Sequence, residues 1–385
     1  MVKFALLGAA ALQATVVLGA LTSQSLPARD EELRLVKTSE EDAGTWMTEE
    51  QKFEQLISKG IHFADITDTM ELETLRADRM VAAVAKRATF PSSASHQSEA
   101  NPLISKLSQS NLQTWTNAMA DFYNRYYKGT YAATSAKWMF DTAKSAAKAN
   151  SAITVKQFTH SYNQPSVIAA IPGTSGEVVV VSAHYDSIGS TTSGRAPGAD
   201  DNASGVVVIL EALRVLAEAK FKPANTLEFH FYSGEEGGLQ GSRGVMQSYA
   251  RSGVKVLAVM NQDVNDWLLP PTTSSLSTPT SSTLASPRSS RSSSPSTRSS
   301  SSRRISAATL APTKCDTYTD RRLFNVISGS ARDAGYPAAY VCDEVMADSS
   351  PYLHSANDAV STVSFPHMLQ HAKLTVGFLV EGSYF

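Results

Sequence analysis

Three short clusters in the middle of the chain hold residue types that bind metal ions and move protons. They are Ser182-Ala-His184-Tyr-Asp186-Ser, Pro197-Gly-Ala-Asp200-Asp201-Asn202-Ala-Ser-Gly205 and Phe231-Tyr-Ser-Gly-Glu235-Glu236-Gly-Gly238. Positions i and i+2 of an extended strand project to the same side. Asp186 can therefore accept a hydrogen bond from His184 and fix its tautomer while the imidazole binds metal. A lone His-x-Asp is more often a hydrogen-bonded pair at a strand end. Asp201 follows a Pro-Gly bend and precedes Ser204-Gly205, which opens a helix, so its carboxylate sits near a helix N-terminus. A helix-capping loop would use one of the same side chains.

Glu235-Glu236 is the most diagnostic pair. Adjacent glutamates flanked by Gly234, Gly237 and Gly238 repel each other unless a cation or a shared proton compensates them. Neighbouring residues point in different directions, so one can ligate metal while the other acts on the bound water. An exposed acidic loop is the plain alternative, and the position beside the other clusters argues against it. Met260-Asn261-Gln262-Asp263 brings a further carboxylate to the end of the next apolar run.

These clusters need a scaffold that delivers them to one edge. Short apolar runs at Ile153–Thr159, Ser166–Ile171, Val178–Ala183, Thr226–Ser233 and Val254–Asn261 read as strands, with helices over Ser204–Ala219 and about Leu239–Arg251. The alternation predicts an α/β fold, a three-layer α/β/α sandwich around a mixed, largely parallel central sheet. Ligands in such sheets gather beyond the carboxyl ends of the strands, where the clusters lie. Before them, Ser110-Asn-Leu-Gln113 can cap a helix with Trp115, Met119, Phe122 and Tyr126 on its apolar face. Thr134 or Ser135 can start another that buries Trp138, Met139 and Ala146. A terminal helix runs from about Pro366 through Leu369, Leu374, Phe378 and Leu379.

With 385 residues and 42% hydrophobic content, the chain can bury a sizeable core and carry appended segments. A net charge of −2 favours neither nucleic acid nor a membrane surface as partner. Cys315 and Cys342 allow at most one intrachain disulfide and exclude a thiolate zinc cluster. Lys3 and the apolar run Phe4–Leu21, with Gly19 and Ala20, read as a secretory signal peptide over residues 1–19. Residues 20–87 read as a propeptide that ends at the dibasic pair Lys86-Arg87. Thr48-Glu-Glu-Gln51 forms a capping box there, continued by Phe53, Leu56 and Ile57. The catalytic domain then spans 88–385.

Taken with Pro351-Tyr-Leu-His354, the spaced set His184-x-Asp186, Gly198-Ala-Asp-Asp201-Asn-Ala-Ser-Gly, Gly234-Glu235-Glu236-Gly and Gln262-Asp263 resembles the co-catalytic di-zinc aminopeptidases. Among them it is most similar to the secreted fungal leucine aminopeptidases made as zymogens with a signal peptide and propeptide. The resemblance implies a metallo-aminopeptidase, a hydrolase that releases leucine-like N-terminal residues from peptides. It implies two zinc ions bridged by Asp201 and a water or hydroxide that attacks the first peptide bond. His184 and Asp263 would complete one zinc site, and Glu236 and His354 the other. Glu235 would be the general base and Asp186 the partner of His184. The implied partners are peptides with a free N-terminus and the chain's own propeptide, with an extracellular monomer as the acting form. Carboxylate, imidazole and water ligands suit zinc, and two zincs about 3.5–4 Å apart can hold both the attacking oxygen and the substrate.

The resemblance breaks over residues 265–330. A Ser/Thr/Pro/Arg-rich tract at about 270–304 cannot build a core and reads as disordered or as an O-glycosylated linker. The family has a two-cysteine loop with a tyrosine followed by Ser-Asp-His in this interval. Here Thr313-Lys-Cys315 leads to Asp316-Thr317-Tyr318-Thr319 instead. The pattern resumes at Ala331-Arg-Asp-Ala-Gly-Tyr-Pro. A retained intron, a frame shift and a lineage insertion each account for it. The interval keeps a catalytically impaired secreted zinc-binding protein open as an alternative, and a di-zinc carboxypeptidase or a single-zinc cyclase could share the α/β scaffold. His230 lies within a strand and reads as a satisfied core or face residue, and His62, His96, His160, His367 and His371 have no metal-ligand context. The Asn202-Ala-Ser204 sequon is discounted, because a glycan there would obstruct the site. Asp343, Glu344, Asp348 and Asp358 stay unassigned.

Overall fold

The computed structural model describes residues 32–75, 93–263, 327–341 and 350–385. The signal peptide, the dibasic pair, residues 265–326, Cys315, Tyr318, Cys342, Asp343, Glu344 and Asp348 lie outside them. The elements in chain order are β1 (Arg34–Lys37), β2 (Thr45–Met47), α1 (Glu49–Gln55), β3 (Ala64–Asp65), α2 (Gln97–Ile104), α3 (Gln109–Ala120) and α4 (Ala132–Ala147). They continue with β4 (Thr154–Phe158), β5 (Ser166–Ile171), β6 (Glu177–His184), α5 (Gly205–Glu218), β7 (Thr226–Tyr232), α6 (Gln240–Arg251) and β8 (Lys255–Gln262). Ile327–Asp333 (α7), Ala338–Val341 (β9) and Phe365–Gly382 (α8) complete the set.

Six strands form the central sheet in the order β4-β5-β7-β6-β8-β9. β7, β6, β8 and β9 are mutually parallel, and β5 runs antiparallel to both β4 and β7. The expected mixed, largely parallel sandwich is therefore observed. β6 is central because its Val-rich sequence suits burial on both faces. Val179, Val181 and Ala183 enter one apolar cluster with α2, α3, α4, α5 and α8, while Val178 and Val180 enter another with α6 and α7. That alternation is the two-residue period of a strand.

The second face has an additional cover. Leu35, Ala64, Ile66 and Leu72 share the cluster beneath α6 and α7. Residues 33–75 thus form a small three-stranded sheet, order β2-β1-β3, packed on the main domain. Thr48 and Gln51 make the expected capping box at the start of α1.

Some helix limits differ from expectation. α3 starts at Gln109, and Ser108 provides no side-chain cap. The buried Glu211 on α5 substitutes for it by accepting from Ser108 N (2.6 Å) and Asn111 Nδ2 (3.0 Å). α3 ends at Ala120, so Phe122 and Tyr126 lie beyond it. α4 begins at Ala132, before Thr134 and Ser135. The helix expected from Ser204 starts at Gly205, because residues 199–204 form an irregular turn with non-helical Asp201 and Asn202.

Candidate metal centre

Three parallel strands deliver the candidate residues to one edge. His184 is the last residue of β6, Glu235 and Glu236 follow β7, and Asp263 follows β8. Asp201 comes from the turn between β6 and α5. His354 precedes α8 with its backbone in the left-handed region at φ 52°, which histidine tolerates better than most residues. All of the expected metal-ligating residues among them come together.

Asp201 faces two histidines. Asp201 Oδ1 lies 3.0 Å from His184 Nε2, and Asp201 Oδ2 lies 3.2 Å from His354 Nε2. His184 Nε2 also faces Asp263 Oδ1 at 3.4 Å, while His354 Nε2 faces Glu236 Oε2 at 3.1 Å. One carboxylate therefore faces two half-sites, each with one imidazole and one further carboxylate. Single ligand atoms of His184, Asp201 and Glu236 also all lie within 4.8 Å of one another, a triple that spans both halves.

The second layer fixes these groups. His184 Nδ1 lies 3.5 Å from Asp186 Oδ1 without completing a hydrogen bond, and Nε2 faces the centre. Asp186 also accepts the backbone N–H of Glu235 at 3.2 Å and of Glu236 at 3.1 Å. Glu236 Oε1 accepts from Ile188 N at 3.1 Å, so only Oε2 faces His354. Asn202 Oδ1 accepts from Gly205 N, and its amide donates to Gln262 O, both at 3.0 Å. Asn202 is thus the capping member of the acidic turn.

The charges favour a cation. Burial, with the negative charges of Glu236, Asp263 and Asp201, pushes Glu235 well above the usual carboxylate range. Burial and Asp201 raise Glu236 to about 7. Burial opposes ionisation of Asp201, yet hydrogen bonds from His184 and His354 hold it below that range. Glu236 raises His354 despite burial. Asp263 Oδ1 is buried with no hydrogen-bond donor, a costly arrangement for a carboxylate oxygen. Four carboxylates and two imidazoles around one cavity edge match the oxygen and nitrogen donors zinc prefers, so the residues fit divalent metal.

Membership follows from sequence. The profile of Peptidase family M28 matches residues 166–379. The chain belongs to Peptidase family M28. Leucine aminopeptidase 1 of Arthroderma otae is 38% identical over 350 residues, covering 87% of this chain and 88% of that protein. Leucine aminopeptidase 1 of Trichophyton rubrum is 38% identical over 347 residues, with the same coverage. The structure of the LapA aminopeptidase of Legionella pneumophila aligns with a TM-score of 0.68 at 20% identity, covering 92% of this chain and 99% of that one, which supports the fold. M28 is a family of co-catalytic zinc aminopeptidases, so this member is a metallo-aminopeptidase and a peptide-bond hydrolase.

Three residues at the site were not expected there. Asp358 accepts from the backbone of Asp200 and Asp201, and the buried Arg125 donates to the Pro197 and Gly198 carbonyls. His62, expected to lack a metal-ligand context, lies within electrostatic reach of His354, Asp201 and Asp263. Arg125 sits in the aromatic run Phe122-Tyr-Asn-Arg125-Tyr-Tyr127 with no motif that marks its role, and His62 comes near only through the docking of 33–75. His230 is satisfied inside the sheet, as expected, by Tyr232 Oη and Glu228.

Proposed function

We propose that this chain is a secreted aminopeptidase that removes leucine-like residues from the free N-terminus of peptides, acting as a monomer with two zinc ions. The observation that carries the reading is Asp201, whose two carboxylate oxygens face two different histidines. His184, Asp201 and Asp263 would hold one ion, and His354, Asp201 and Glu236 the other. Bound zinc supplies Lewis acidity that activates water and polarises a carbonyl. Glu235, beside this cluster on a half-buried turn, would take the proton from the attacking water and deliver it to the leaving amine. Asp186 orients His184 and holds the Glu235-Glu236 backbone.

Residues 20–87 would act as a propeptide that keeps the enzyme latent. Its described part docks on the glutamate turn: Asp65 N donates to Gly238 O at 2.9 Å, and Lys52 Nζ donates to Gly237 O at 3.1 Å. His62 precedes Phe63, whose ring packs against Gly238, and its imidazole feels the charges of His354, Asp201 and Asp263. Among the described residues no helix is long and apolar enough to cross a membrane.

The test is zinc analysis of the purified chain together with hydrolysis of a leucyl amide and its N-acetylated counterpart, before and after removal of the N-terminal unit. Two zincs per chain, cleavage of the free-amine substrate alone and activation by processing are expected. Two bound zincs with no hydrolysis after processing would instead favour a binding protein.

A further inference from the structure

The turn that carries Asp201 is gripped by two buried groups of opposite charge. The Arg125 guanidinium donates to the carbonyls of Pro197 and Gly198, the latter at 2.9 Å. Asp358 accepts from Asp200 N with Oδ1 at 2.8 Å and from Asp201 N with Oδ2 at 3.0 Å. Ala199 N donates to the Asp358 carbonyl at 3.2 Å. Five consecutive residues are thus tied through their carbonyls at one end and their amides at the other.

Each clamp also ties the turn to another part of the site. Arg125 Nε donates to Tyr185 O at 2.8 Å, between His184 and Asp186, and Arg125 N donates to Ser187 Oγ at 3.1 Å. One guanidinium therefore sets the segment that carries His184 relative to the segment that carries Asp201. Asp358 lies four residues after His354 on the same loop, so it couples the Asp201 amide to the chain that presents His354. Gly198, at φ 52°, admits no side chain: a Cβ there would lie 2.7 Å from Arg125 Nη2 and 2.4 Å from Asp201 O.

We propose that Arg125 and Asp358 are positioning residues for the metal centre, which hold the 197–201 turn so that Asp201 presents one oxygen to His184 and the other to His354. Burying a charge is costly unless it is well hydrogen-bonded, and charge-assisted bonds to main-chain groups are stronger and more directional than neutral ones. A planar fork on four carbonyls, those of Met119, Tyr185, Pro197 and Gly198, and a carboxylate on two adjacent amides use that directionality. Arg125→Lys would keep the charge and lose the fork. Asp358→Asn would keep the shape and turn one acceptor into a donor facing an N–H.

The inference rests on the di-zinc reading. It is tested on the full chain with Arg125→Lys, Asp358→Asn and, as a control, Arg243→Lys. Arg243 is a buried arginine that pairs with Glu73 and Asp333 and donates to Thr69, all three outside the 197–201 turn. Zinc retention against a chelator, the visible spectrum of the cobalt-loaded chain and the thermal midpoint are measured for each. Arg125→Lys and Asp358→Asn should surrender zinc at about 10- to 100-fold lower chelator and change the cobalt spectrum. Arg243→Lys should lower the thermal midpoint with zinc retention and spectrum unchanged. Wild-type retention and spectrum in Asp358→Asn overturn the inference, even if Arg125→Lys does not fold. An altered spectrum in Arg243→Lys also overturns it, since generic loosening would then suffice. A wild-type chain that binds no zinc removes the di-zinc reading and this inference together.

Discussion

Asp186 receives the backbone N–H of Glu236 through Oδ2 at 3.1 Å, while its other oxygen serves Glu235 N and faces His184. One buried carboxylate thus joins the end of β6 to the turn after β7. Asp186→Asn keeps the shape but sets an amide N–H2 against a backbone N–H. We expect about a 10- to 100-fold loss of metal affinity and activity. Chelator titration and steady-state kinetics check it, and wild-type values in both would limit Asp186 to packing.

Glu235→Gln separates binding from proton transfer. The amide has nearly the same volume and cannot take a proton from water. Zinc content should stay at the wild-type level while kcat falls by about 10²- to 10⁴-fold. Undiminished turnover would take Glu235 out of the mechanism.

Asp263 and His354 lie on opposite sides of Asp201, so their loss should not be equivalent to losing the bridge. Asp263→Ala and His354→Ala are each expected to reduce zinc from two ions per chain to one, whereas Asp201→Ala should release both. Metal analysis after dialysis distinguishes the three. Equal loss in all of them would indicate a single shared site.

The N-terminal unit should loosen in acid. Burial opposes ionisation of Asp65, but the charges of Lys52 and Arg34 hold its folded pKa below the ordinary carboxylate value. A depressed folded pKa contributes stability that is complete above the unfolded value, about 4, and fades as pH falls through the folded one. Limited proteolysis within 33–75 should therefore be slow near neutrality and rise only below about pH 4. Asp65→Asn leaves Arg34 and Lys52 buried without their shared anion, a loss of about 3–5 kcal/mol, and should give rapid cleavage even at neutral pH.

Much of the candidate site was legible because His184, Glu235, Glu236 and Asp263 sit at or just past strand ends and Asp201 in a glycine-flanked turn, whereas His354, on a loop without glycine, was placed by the resemblance alone. The run Val178–Ala183 announces a strand, and its carboxyl end announces where His184 must be. Glu235-Glu236 between glycines was legible for the same reason. Asp358 and Arg125 were harder to see, because each acts on main-chain groups of residues distant in sequence, and no local pattern records a carbonyl or amide waiting for a partner. The start of α3 was misplaced because its cap is Glu211, about a hundred residues away. The docking of 33–75 combines an apolar cluster with long-range ion pairs such as Arg243–Glu73, whose members look like ordinary surface charges in the sequence.

Glu381 near the end of α8 accepts the backbone N–H groups of Ser95 and His96 at 2.8 and 2.7 Å, and the His96 ring stacks on Tyr384 at 3.8 Å. An enzyme that trims free amino ends is surrounded by copies of itself whose own ends are potential meals. If processing frees an amino end upstream of Ser95, these contacts would hold the residues behind it against the last helix, so that trimming past Ser95 would have to break them first.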